Sequence, residues 1–74
     1  MDRVMLVSHL EVAERHVREA EARVVRQRSI LLNTESSAHE AVEDRELLRL
    51  FEKTLAAMIS DRDRIRRDLE RLKD

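Results

Sequence analysis

Glycine and proline are both missing from this 74-residue sequence. Average usage would place roughly nine of them in a chain of this length. Glycine breaks regular structure through backbone entropy and positive φ, proline through its missing N–H. Their joint absence excludes glycine-rich phosphate loops and favours helix from end to end. Cysteine is absent too. That removes disulfides, thiolate metal ligands and thiol nucleophiles, and it fits a reducing compartment. Tryptophan and tyrosine do not occur, and phenylalanine occurs once, at Phe51. A base-stacking platform for nucleic acid needs more aromatic faces than one.

Neither sign of charge dominates. Lys and Arg number 15 and Asp and Glu 16, for a net charge of −1. Both halves of the chain are nearly balanced, so bulk electrostatics give no footprint for nucleic acid. Long hydrophobic runs are also lacking. Near the N-terminus only Val4-Met5-Leu6-Val7 are consecutively apolar, whereas a signal peptide needs about 7–15 such residues and a membrane span about 20. The expectation is a soluble, cytoplasmic protein.

Present instead are two heptad stripes. Leu10, Val17, Val24 and Leu31 occupy a positions, and Leu6, Ala13, Ala20 and Gln27 occupy d positions. In the second half Ala41, Leu48, Leu55, Arg62 and Leu69 fall at a, with Asp44, Phe51, Met58, Ile65 and Leu72 at d. Such spacing is that of helices packed as in coiled coils. The two stripes are out of phase, since ten positions separate Leu31 from Ala41. The slip coincides with Asn33-Thr34-Glu35-Ser36-Ser37, a cluster of turn-prone residues. Ser37-Ala38-His39-Glu40 has the form of a capping box that starts a second helix. Asn33 tolerates the left-handed conformation that often ends a first one.

The pattern therefore predicts one all-α domain over residues 1–74. It is an antiparallel, coiled-coil-like two-helix hairpin, with helix 1 at about 3–32, a turn at about 33–37 and helix 2 at about 38–72. Layering the seams sets Val24 near Phe51, Ala20 near Leu55, Val17 near Met58, Ala13 near Arg62 and Leu10 near Ile65. Small side chains then meet large ones, as close packing requires. The candidate core and interface residues are Leu6, Leu10, Val17, Val24, Leu31, Leu48, Phe51, Leu55, Met58, Ile65 and Leu69. Val7, Ile30, Leu47 and Ile59 widen the stripes, and Val4, Val25, Leu32, Val42 and Leu50 lie further round. Two helices cannot cover them all. A core of this size seldom supplies more than ~3–5 kcal/mol without a disulfide, metal or oligomer. Pairing of hairpins into a four-helix bundle homodimer answers both difficulties.

Sites of chemistry are thinly supported. His9 and His16, at successive g positions, stand about 10 Å apart along a helix axis, too far to chelate one ion. His39 is four residues from Glu35 and from Glu43, a pairing common in a chain so rich in glutamate. No intrachain metal site is expected, although His9 or His16 at a subunit interface leaves a shared one as an alternative. No nucleophile has a base partner, and no cofactor or catalytic residue is expected. Arg62, Arg66 and Arg67 form a basic strip on which a nucleic-acid accessory role is a further alternative. A single long helix in a parallel coiled coil would be a rod of about 105 Å.

The strings His9-Leu10-x-x-Ala13-Glu14-x-His16-Val17, Arg26-Gln27-Arg28, Leu47-Leu48-x-x-Phe51-Glu52-x-x-Leu55 and Asp61-Arg62-Asp63-Arg64-Ile65 together resemble short helical proteins of rhizobia and related alpha-proteobacteria. No activity is assigned to that group. The resemblance implies a helical hairpin and a bacterial source, and it implies no catalytic or binding residues. The expected role is a non-enzymatic protein–protein interaction or oligomerisation module.

Overall fold

A computed structural model describes residues 2–33 and 37–72. Two helices account for nearly all of them: α1 spans Arg3–Asn33 and α2 spans Ala38–Arg71. They pack against each other as an antiparallel hairpin with extents of 57 × 13 × 13 Å. The radius of gyration is 16.7 Å, against about 11 Å for a compact domain of this length. A rod of about 105 Å does not fit these dimensions, so the chain doubles back. Thr34, Glu35 and Ser36, on which most of the expected turn falls, lie outside the described residues.

Local chemistry sets the helix ends. Asp2 caps α1: its Oδ1 accepts from the Met5 N–H at 2.9 Å, and its carbonyl accepts from the Leu6 N–H at 3.1 Å. The Met5 N–H has no partner inside the helix, and the Leu6 bond is the first of the helical ladder. Ser37 caps α2 through the reciprocal pair that the sequence predicts. Ser37 Oγ accepts from the Glu40 N–H at 3.3 Å, and Glu40 Oε2 accepts from the Ser37 N–H at 3.1 Å. Asn33 differs from expectation. No described residue has positive φ, so Asn33 does not reverse the chain by a left-handed turn. It remains the last residue of α1, where its Nδ2 donates to the Ser29 carbonyl at 2.8 Å. The side chain thus satisfies a carbonyl one turn back, which competes with the left-handed exit.

Burial is unequal between the helices. α1 buries Leu6, Ala13, Val17, Ala20, Val24 and Gln27, whereas α2 buries Ile65 alone. The small α1 residues let α2 approach closely, and the larger α2 side chains lie over them with their outer edges still in water. Leu48, Phe51, Leu55, Met58 and Leu69 are all half-buried, as are Leu10 and Leu31 of α1. Leu6, Ala13 and Ile65 form a buried cluster, with Leu10 and Leu69 packed on it.

Candidate interaction surface

The two flanks of the hairpin differ in how the helices meet. On one flank, long charged side chains bridge the seam. Arg66 Nη2 lies 3.8 Å from Glu14 Oε1, and Arg28 Nη2 lies 3.9 Å from Glu52 Oε2. These pairs are exposed, and each contributes roughly 0–1 kcal/mol. They cover the seam at two levels, while a depression of about 310 Å³ lined by Val7, Leu10, Arg66 and Leu69 opens on the same flank near the free ends of the helices. Val7 and Ile59 lie on the same flank at heptad e positions.

On the opposite flank the g positions of both helices face outward, and the seam is open. Three shallow depressions of about 380, 260 and 350 Å³ follow one another along it. The first, at the end away from the turn, is walled by His9, His16, Asp61 and Asp68 over a floor of Leu6, Ala13 and Ile65. His16 also borders the second, beside Ala20, Thr54 and Met58. Arg23 joins the second to the third, where Gln27, Ile30, Leu47 and Phe51 meet. Shared walls make the three one continuous groove, running from His9 to Ile30 of α1 over about six turns.

Exposed large apolar side chains gather towards the two ends. Val4, Met5, Val7, Val12 and Leu72 stand near the open end, and Val25, Ile30, Leu32, Val42, Leu47 and Leu50 near the turn. Val4 keeps 79% and Leu32 84% of its surface in water. The middle of the hairpin is charged. Val4, Val25, Leu32, Val42 and Leu50 lie beyond the stripes, at b and c positions. Among those that widen the stripes, Val7, Ile30 and Leu47 are exposed and Ile59 is half-buried.

Sequence reasoning passed over Gln27 as a core residue, yet it is buried at 4% exposure. Its Nε2 donates to the Asp44 carbonyl at 3.1 Å and approaches Asp44 Oδ1 at 3.5 Å. The signal was present, since both residues occupy d positions. The heptad layering sets Gln27 opposite Leu48, and its side chain reaches about one turn along α2 to the Asp44 carbonyl. Ala13 and Ala20, also at d, are buried although they are absent from the candidate core residues.

The candidate chemical groups are dispersed. Among the described residues no three of His, Cys, Asp or Glu stand where they could hold a metal ion. His39 Nε2 lies 3.1 Å from Glu43 Oε1 on an exposed helix face. Within the basic strip, Arg62 runs sideways to Asp63 at 3.1 Å, its side chain largely covered. Arg66 reaches both Glu14 and Asp63. The acidic residues of α2 pair mainly with arginines three positions on, Asp61 with Arg64 and Asp68 with Arg71. No helix among the described residues is long and apolar enough to cross a membrane.

No protein-family profile matches the chain, and neither the curated proteins nor the solved structures supply a significant match.

Proposed function

We propose that the hairpin is a non-enzymatic oligomerisation module that pairs with a second copy of itself to form a four-helix bundle in the cytoplasm. The carrying observation is its surplus of surface. The chain exposes 5782 Å², whereas a compact monomer of this mass exposes about 4,800 Å². The excess of roughly 1,000 Å² is near the ~800 Å² per partner of a standard specific interface. Much of that surface is hydrophobic, with eleven large apolar residues exposed among those described. Each such side chain withdrawn from water contributes about 1.5–3 kcal/mol. That gain supplies what a two-helix core of this size lacks.

The engagement of Arg62 and Arg66 by neighbouring carboxylates favours this reading over nucleic-acid binding. Thermal melting across a hundredfold range of protein concentration tests it. A dimer melts higher as concentration rises, because folding is linked to association. A melting temperature independent of concentration contradicts the proposal.

A further inference from the structure

The g positions of the two helices form two ordered rows along the open groove. From the open end to the turn, α1 presents His9, His16, Arg23 and Ile30, and α2 presents Asp68, Asp61, Thr54 and Leu47. The first row begins with nitrogen donors and ends on an aliphatic side chain. The second begins with carboxylate acceptors and also ends on an aliphatic one. Corresponding members stand at similar levels, since His16 and Asp61 wall one depression and Ile30 and Leu47 another. Yet among the described residues no ion pair joins the helices on this flank; the bridging pairs lie on the other one. Asp61 and Asp68 each have an arginine neighbour on their own helix and retain acceptor capacity, because an ionised carboxylate offers about four lone-pair sites.

Resting on the dimerisation proposed above, we infer that the second copy docks on this open flank with both turns at the same end. The two-fold axis then runs along the hairpins. α1 of each copy lies over α2 of the other, and every neighbouring pair of helices is antiparallel. His9 and His16 face the carboxylates of Asp68 and Asp61 of the second copy, and Ile30 faces Leu47 of the second copy. A two-fold axis across the hairpins fits worse. It sets the His9 end of each α1 row over the Ile30 end of the other, and the Asp68 end of each α2 row over the Leu47 end. Carboxylates would then be desolvated against aliphatic side chains, which is costly without a compensating hydrogen bond. On the other flank the opposite charges are already paired within one hairpin, Arg66 with Glu14 and Arg28 with Glu52.

The absence of native cysteine makes directed cross-linking a clean test. Chains carrying Ile30→Cys are mixed with chains carrying Leu47→Cys, refolded together and oxidised. Both positions are exposed in the single hairpin, and circular dichroism verifies that helicity is kept. A disulfide requires Cα atoms within about 7 Å. The expected result is a cross-linked heterodimer at least about tenfold more abundant than from Ile30→Cys mixed with His9→Cys, because facing thiols have a high effective concentration. Preferential cross-linking of the Ile30/His9 mixture places the turns at opposite ends and overturns the inference. Preferential cross-linking between Arg28→Cys and Glu52→Cys chains, whose positions face each other on the bridged flank, moves the interface to that flank and also overturns it. Sedimentation of the unmodified protein at the same concentration separates the two levels of failure. A dimer lacking the Ile30/Leu47 link refutes the docking mode alone, and a monomer refutes dimerisation itself.

Discussion

The Gln27 carboxamide reaches across the seam and donates to the backbone carbonyl of Asp44 at 3.1 Å, from a site only 4% exposed. A buried amide without that acceptor would carry a desolvation penalty of about 1–3 kcal/mol. The bond also ties one level of α1 to one level of α2, which apolar contacts do only loosely. Polar groups at coiled-coil seam positions commonly specify register at some cost in stability.

Gln27→Leu should therefore leave stability within about 1 kcal/mol of the parent, or raise it. At the same time it should broaden the distribution of helix staggers. Chemical denaturation measures the first effect, and the dispersion of amide NMR signals reads the second. A sharp, unchanged spectrum would remove the register role from this pair.

Ser37→Ala removes the oxygen that accepts from the Glu40 N–H and should cost about 1 kcal/mol. Ser37→Asp keeps an acceptor at the cap and should recover most of the loss. In a double-mutant cycle with Glu40→Ala, the two substitutions should fall short of additivity, because each disables the same reciprocal box. Thermal melts followed by circular dichroism suffice.

Ala13 and Ala20 are buried at 4% and 3% exposure, on the face of α1 that packs on α2. Enlarging either one to leucine should destabilise by roughly 1–3 kcal/mol, because the facing α2 backbone must move away. The same change at Ala22, an exposed position on α1, should be nearly neutral. Equal effects at all three sites would show that the seam is not where the structure places it.

Phe51 reports on the second copy. In the single hairpin it is half-buried, so truncation to alanine there forfeits only part of its contact. A fully covered phenylalanine costs about 3–5 kcal/mol on the same change. At concentrations that favour the dimer, Phe51→Ala should show that larger figure, and the cost should fall on dilution. A small, concentration-independent loss by equilibrium unfolding would mean that no partner covers the ring.

How far the sequence reveals this architecture depends on the kind of interaction. The hairpin was legible because a missing glycine, a phase slip and the Ser37–Glu40 pair are local signals that no tertiary force opposes. The seam was legible in its periodicity but not in its depth. Heptad position says that Phe51 and Met58 point inward, whereas burial depends on the size of what faces them. The alanines of α1 are too small to cover what faces them, so the large α2 side chains stay half in water. Gln27 was overlooked because polarity argues against burial until its acceptor on the other helix is known. The Asp2 cap went unread since a lone aspartate before an apolar residue is a weak signal. The asymmetry of the flanks could not be read at all, because it depends on which long side chains span the seam, as Arg66 does to reach Glu14.

Sedimentation equilibrium over a range of concentrations tests the central claim most directly. One chain has a mass of 8.8 kDa, and the account predicts a reversible species of twice that mass, dissociating on dilution. A single species of one chain's mass at every concentration, still folded and soluble, would contradict it.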